Sequence, residues 1–500
     1  MSDQSSLASR SINALIWSYA GAIVRVFAQL VIQVALARVL GPLAFGQAAM
    51  VLVVLGIGWL LADGGFGSAL IQKAELHDDD IAYALGWVLL LSLGIGAVVF
   101  ACAPILATAL NDQDYVPLMR ACGVLVPLQA VSNIPLSLLR RNLDMKRQQM
   151  LNVGGYVIGM GGVGMALALA GYGAWSLVIG FGVQTVLNLV VGYFFVKFPL
   201  RIKLSGDRTL RNFGFSVMAT NIANWAIDNL DRVVVGKLWG AGSLGEYAAA
   251  GNLSRAPASI LVGAAQSVVF SSASRAQDDT ARVRRGFTAA SCFVLLITGP
   301  VFCFLALHAS LVMHLLYGER WLNAAPLFAA LCIAIPSYAL LSIAGPTLWA
   351  VGAARSEFKV QVVIAILMVL GFYVLEGHPL AQAVWLVPGL YAARSIAVVT
   401  ALAIRINLSA GQAAHTCMAG LLLAGAVLLT SSASQYLEFA PLARAILAAA
   451  VGTVSCLLVL RLTARWLLVP DLRQILLARS SASTLARRLC YLLGLKVVAI

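Results

Sequence analysis

Apolar residues run along this chain in long blocks separated by short polar breaks. The first block follows a polar cap, "MSDQSSLASRSINALIWSYAG", and reaches Leu36. A helix of about 20 residues crosses a hydrocarbon layer roughly 30 Å thick, and runs of that length recur almost to the end. The pattern predicts about fourteen spans, at 13–36, 44–70, 82–109, 117–139, 151–171, 174–196, 212–236, 245–271, 287–310, 325–351, 359–375, 381–404, 414–431 and 443–463. The opening leads straight into a full span and lacks the form of a cleavable signal. The connections are short and leave no room for a soluble domain.

Composition agrees with that pattern. The chain is 61% hydrophobic and 11% charged, where soluble domains carry about 25% charged residues. Its mean hydropathy is +0.91. An all-α integral membrane protein is therefore expected. The eight cysteines are scattered, with no CxxC pair, and read as small hydrophobes. The histidines show no metal-ligand spacing, so neither a metal site nor a cofactor is expected.

Charge gives the sidedness. Twenty-five Lys and Arg residues fall on one side of the predicted spans, against five on the other: Arg38, Arg120, Lys237, Arg320 and Arg444. Cytoplasmic loops are enriched in Lys and Arg, which puts both termini in the cytoplasm. The net charge of +14 is thus a topology signal that requires no nucleic acid. Beyond Val469 the tail places Leu472, Ile475, Leu476, Leu485, Leu489 and Leu492 at helical spacing among arginines, as a helix lying on the anionic inner leaflet would.

One turn is written twice. "LARVLGPLAFG" (Leu36–Gly46) returns 199 residues later as "VGKLWGAGSLG" (Val235–Gly245), so that Gly41 maps to Gly240 and Gly46 to Gly245. The offset also joins Pro127 to Pro326 and Asp79-Asp80 to Asp278-Asp279. Six predicted spans separate the two turns, and an even number preserves direction across the membrane. The halves are then parallel repeats about an axis along the membrane normal, with substrate expected between them near mid-membrane. This predicts an N-terminal lobe over 1–200, a second six-span lobe over 201–410, two added spans over 411–465 and a basic tail over 466–500. Gly41, Pro42, Gly46, Gly240 and Gly245 form either a plain hairpin or a pivot at the outer surface.

Both lobes present a polar face from their first helix. Span one carries Arg25, Gln29 and Gln33 three to four residues apart. The 199-residue offset carries that stripe onto Asn221, Asn224, Asp228 and Arg232, with Asp231 alongside. Asn252, Arg255 and Arg394 lie in later spans. Ionisable groups are costly in lipid, so these faces belong inside the bundle or along a wet cavity. Asp228 and Arg232 stand four apart and can neutralise each other. That leaves Arg25, Arg255 and Arg394 as the less obviously paired cations. Arginine presents a fixed donor fork that suits phosphate. The alternative is that these residues tie helices together.

Other motifs carry less. Asp63 reads as a cap beside two glycines. "GMGGVG" (Gly159–Gly164) matches a nucleotide-loop spacing but lies in a span, where small residues serve helix packing. The acidic loop "ELHDDD" (Glu75–Asp80) reads as solvated charge without partners. No grouping has the form of a catalytic site, and the outer loops are too short to hold one.

Several stretches together resemble bacterial polysaccharide transporters of the Wzx/WzxC type: "LARVLGPLAFGQAAMV", "DGGFGSALIQK", "LRRNLDMKRQQML" and "NLDRVVVGKLWGAGSLGEYAAAGNLSRAP". Their superfamily also holds the MATE drug exporters and the lipid II flippases. The resemblance implies fourteen helices in two lobes, a cationic cavity, and flipping of undecaprenyl-diphosphate-linked oligosaccharides across the bacterial inner membrane. It implies Arg25 and Arg255 as diphosphate contacts, and a polymerase and glycosyltransferases as pathway partners. The coupling ion, Na+ or H+, stays open. A lipid II flippase, a cation-coupled drug antiporter and a membrane glycan polymerase or ligase are the rival readings.

Overall fold

The architecture is that of a computed structural model describing residues 2–206, 208–275, 279–434, 436, 439–480 and 490. Asp278 and most of the tail beyond Ser480, with Leu485, Leu489 and Leu492, lie outside the described residues. All regular elements among the described residues are helical. Among the described residues eleven helices are long and apolar enough to cross a membrane, so the chain is a multi-pass helical membrane protein. The chain forms two compact units, Met1–Ala249 and Ala250–Ile500.

The first unit holds α1 (Ser2–Asp63), α2 (Phe66–Gln72), α3 (Asp78–Ala109), α4 (Tyr115–Arg141), α5 (Met145–Tyr156), α6 (Met165–Leu169), α7 (Trp175–Val196) and most of α8 (Arg208–Arg275). The two long elements are each two helices joined at a glycine. Gly41 has φ 72° and ψ 174°, and Gly240 has φ 79° and ψ 179°. That backbone region is essentially closed to residues with a Cβ. The two turns therefore share a conformation as well as a sequence.

They also touch. A Cβ built on Gly46 would fall on the carbonyl oxygen of Ala241, and one on Gly245 would fall on the carbonyl oxygen of Pro42. Each turn thus receives the other's glycine, and the backbones approach as closely as the missing side chains allow. The sequence places Gly46 and Gly245 in a hairpin or pivot without naming what they touch. Their reciprocal contact is a long-range feature that no local signal carries.

A π-helical segment, Val157–Gly164, links α5 to α6. It packs on α7, where a Cβ on Gly159 would stand 2.5 Å from the Gly180 carbonyl oxygen. The "GMGGVG" run is therefore a small-residue packing surface. Asp63 ends α1, buried, and its Oδ1 accepts a 2.7 Å hydrogen bond from Asn133 on α4.

The acidic loop differs from expectation. Asp80 is buried, accepts from the His77 backbone N–H at 3.0 Å and pairs with Lys73 Nζ at 2.6 Å. Asp79 meets Lys203 at 2.6 Å. The loop is thus the capped start of α3, where acidic side chains offset unsatisfied N–H groups. Its lysine partners lie outside the motif, which hid them.

Arg141 has a structural task that charge counting missed. Its guanidinium donates to the carbonyls of Leu70 (2.8 Å), Ile71 (3.2 Å), Lys73 and Ala74 (2.9 Å), closing the C-terminal end of α2. Arg141→Ala is expected to cost about 2 kcal/mol, since hydrogen bonds to a charged group are lost and carbonyls are left open. Earlier thermal unfolding in detergent would register this. Arg141→Lys is expected to recover only part, because an ammonium lacks the planar fork.

The second unit holds the end of α8, then α9 (Thr280–Leu307), α10 (Ala309–Tyr317), α11 (Ala325–Ala350), α12 (Ala354–Val374), α13 (Leu380–Ala383), α14 (Leu386–Ile406), α15 (Ala410–Ser434), α16 (Pro441–Leu467) and α17 (Pro470–Ser480). Its main core joins α9, α11 and α14 through Phe287, Val294, Ile343, Leu348, Val398 and Leu402. A smaller cluster sets Val469 and Leu472 against Ala289 and Cys292 of α9. The basic tail therefore begins by packing on the protein, with Leu472 turned inward.

Candidate functional site

Arg25, Gln29 and Gln33 are half-buried on one face of α1. Their helix approaches α5 at Gly21, where any side chain would overlap that of Gln149. Arg25 Nε and Gln149 Oε1 are both buried and unpaired among the described residues. A second cation stands nearby. Arg140, at the end of α4, lies within electrostatic reach of both Arg25 and Asp63. With its amide oxygen turned toward Arg140, buried Gln148 accepts from Nη2 at 3.2 Å. Two guanidinium groups from separate helices thus stand close together, with the Asp63 carboxylate within reach of Arg140, an excess of positive charge suited to an anion. The sequence reading had counted Arg140 only as a loop charge.

The matching stripe on α8 is more heterogeneous. Asn221 is half-buried and Asp228 exposed, while the side chain of Asn224 lies outside the described residues. Asp231 is buried, accepting 2.8 Å hydrogen bonds from Tyr247 Oη and from the Arg232 backbone N–H. It anchors the helix that returns from the Gly240 turn. Asp228, Arg232, Asn252 and Arg255 are each engaged in interactions of their own, with Arg232, Asn252 and Arg255 half-buried.

Arg394 is not an unpaired cation. Its Nη2 lies 3.9 Å from Glu357 Oε1 on α12, with both side chains largely buried. Gln361 Nε2 donates to the same oxygen at 3.1 Å. Gly345 of α11 leaves the room, since a Cβ there would stand 2.6 Å from Glu357 Oε1. Glu357 sits at the start of its span and 37 residues before Arg394, so no helical spacing linked them. Glu357 Oε2 and Arg394 Nε have no hydrogen-bond partner among the described residues.

Among the described residues no cluster of His, Cys, Asp and Glu could hold a metal. What the arrangement offers is a set of arginine forks and neutral amides within membrane helices.

A family profile described as "Polysaccharide biosynthesis protein" matches residues 35–326, more than half of the chain. The chain belongs to the polysaccharide biosynthesis protein family. This family member is 27% identical over 302 residues to the succinoglycan biosynthesis transport protein ExoT of Rhizobium meliloti (strain 1021), a match covering 60% of each chain. It is 25% identical over 340 residues to the lipopolysaccharide biosynthesis protein WzxC of Escherichia coli (strain K12), covering 66% of this chain and 67% of that one. The match thus spans less than two thirds of ExoT. Among solved structures, the lipid II flippase MurJ in an inward closed conformation superposes with a TM-score of 0.68 at 14% identity, covering 90% of this chain and 99% of that one. An inward-facing MATE multidrug transporter gives 0.56 at 15% identity, covering 78% and 94%. At these identities the likeness concerns the fold.

Proposed function

We propose that this polysaccharide biosynthesis protein is a flippase. It carries undecaprenyl-diphosphate-linked oligosaccharide repeat units across the bacterial inner membrane, for exopolysaccharide, capsule or O-antigen assembly, by alternating access. In this reading α1 and α8 each count as two spans, divided at Gly41 and Gly240, so that the chain has fourteen spans in two six-span lobes and two added spans, with both termini in the cytoplasm. The name of ExoT, a succinoglycan biosynthesis transport protein, favours this reading over an enzymatic one.

The observation that carries the substrate assignment is Arg25, half-buried with an unpaired Nε and Arg140 close by. A diphosphate supplies two phosphates for which arginine forks are the fitting donors. Arg255 is the second contact in this reading, and Gln29, Gln33, Asn221, Asn224 and Asn252 hydrate the sugars. Asp231 and Arg394 act within their own lobes. The polymerase and glycosyltransferases of the same pathway are the expected partners.

Replacing Arg25 and Arg255 together by alanine is expected to lower polymer export at least about tenfold at unchanged protein level, the scale of a lost charged hydrogen bond. The intermediate should then accumulate on the cytoplasmic side. Full export would remove both arginines from the path, whereas accumulation on the periplasmic side would point to a polymerase. Complementation of peptidoglycan synthesis in place of exopolysaccharide export would reassign the substrate to lipid II.

A further inference from the structure

The second unit contains a cavity of about 340 Å³ whose lining includes none of the transport residues named above. It opens where the first turns of α9, α15 and α17 meet, lined by Arg284, Arg285, Thr288, Gln412, His415 and Asp471. This end of the unit is the one rich in Lys and Arg.

The lining has an anion-binding balance. Arg284 is fixed in place, its Nη1 donating at 2.8 Å to the carbonyl of Asn407, the residue that ends α14. Arg285 is exposed, and its guanidinium makes no ion pair or hydrogen bond with any described residue. Asp471 is the single carboxylate of the lining, and its Oδ2 lies 3.2 Å from Thr288 Oγ1. Two guanidinium groups thus face one acid. His415 Nε2 stands 2.6 Å from the Trp466 carbonyl oxygen. A carbonyl only accepts, so Nε2 carries the hydrogen and is committed to that bond.

The surroundings indicate an amphiphile. His415, Met418 and Leu422 stand three and four residues apart on α15 and share a face. Met418 and Leu422 are exposed, so this face runs from a polar cavity onto an apolar surface. On α16, Leu462 and Trp466 are 78% and 82% exposed, and it is the Trp466 carbonyl that holds His415. Tryptophan at the end of a span beside basic residues marks the headgroup level of a bilayer. The cavity therefore sits where lipid phosphates lie, with hydrocarbon-facing residues extending from it.

We infer that this cavity binds the phosphate headgroup of an anionic glycerophospholipid, with Arg285 as the headgroup contact and the Met418–Leu422 face against an acyl chain. Assigning the lipid to the inner leaflet rests on the orientation proposed above; the binding itself does not depend on transport. A lipid held there ties α17, and with it the start of the basic tail, to α9 and α15.

The full-length chain in phosphatidylcholine nanodiscs, titrated with phosphatidylglycerol and read by thermal unfolding and by native mass spectrometry, provides the test. Phosphatidylglycerol is expected to stabilise the protein and to persist through delipidation. Arg285→Gln, a substitution at an exposed position, should weaken that binding about fivefold, the scale of one basic residue at an anionic surface. Arg355→Gln, an exposed arginine elsewhere in the unit, should leave it unchanged. Equal losses in the two variants would reveal diffuse surface attraction and overturn the site, as would unaltered binding in Arg285→Gln. Stabilisation by inorganic phosphate to the same extent would show a free-anion site and overturn the lipid assignment.

Discussion

Gly46→Val and Gly245→Val are each expected to abolish recovery of folded protein from the membrane. At both positions the new side chain would meet a backbone carbonyl oxygen, that of Ala241 or of Pro42. No rotamer change can clear a backbone atom, so the two turns must separate. The resulting overpacking and strain place these substitutions in the severe tail of single-residue effects. Gly41→Ala and Gly240→Ala provide the contrast. A Cβ there meets nothing within 4 Å, and the cost is confined to holding φ at 72° or 79°, about 1–3 kcal/mol. Detergent-extracted protein assayed by size exclusion and thermal unfolding should separate the two pairs, with similar behaviour inside each pair. A monodisperse, transport-active Gly46→Val protein would show that the turns do not need to touch. Full folding but lost export in Gly41→Ala and Gly240→Ala would instead assign those glycines to movement.

Arg394→Met is the second large effect. It leaves Glu357 buried beside Gly345 without its cation, held by neutral donors such as Gln361. Removing one member of a buried ion pair typically costs about 3–5 kcal/mol, because the remaining charge is uncompensated. Pairing the change with Glu357→Gln removes that charge, and the double variant is expected to recover most of the lost abundance and thermal stability. Export should recover with it if Arg394 ties α14 to α12. Normal abundance without export would place Arg394 among the substrate contacts. A destabilised double variant, no better than Arg394→Met, would show that the pair is not what holds this part of the unit together.

These experiments bear on residues whose legibility in the sequence differed for physical reasons. Apolar runs and helix-breaking glycines act locally, so the helical membrane architecture and the paired turns at Gly41 and Gly240 were readable directly. The packing role of Gly159 was readable too, since small residues within a span have few other uses. Partnerships across helices were not. Glu357 and Arg394 are lone charges on separate helices, and only the fold brings them within 3.9 Å. Arg140 and Arg141 looked like equivalent loop charges; one closes on the carbonyls at the end of α2 and the other stands near Arg25. Hydrophobic periodicity tells which face of a helix turns inward, and it leaves unstated which residue waits there.

The contact between the two turns is isologous: position 46 meets position 241 and position 245 meets position 42, with both pairs related by the same shift of 199. Such self-matching is the signature of a symmetric dimer interface. A half-length ancestor bearing a single copy of the turn would present a surface complementary to itself, and two such chains would join through it without any new chemistry. Fusion of the two genes would then have converted an association dependent on concentration into a permanent one, leaving each copy free to diverge everywhere except at the joint.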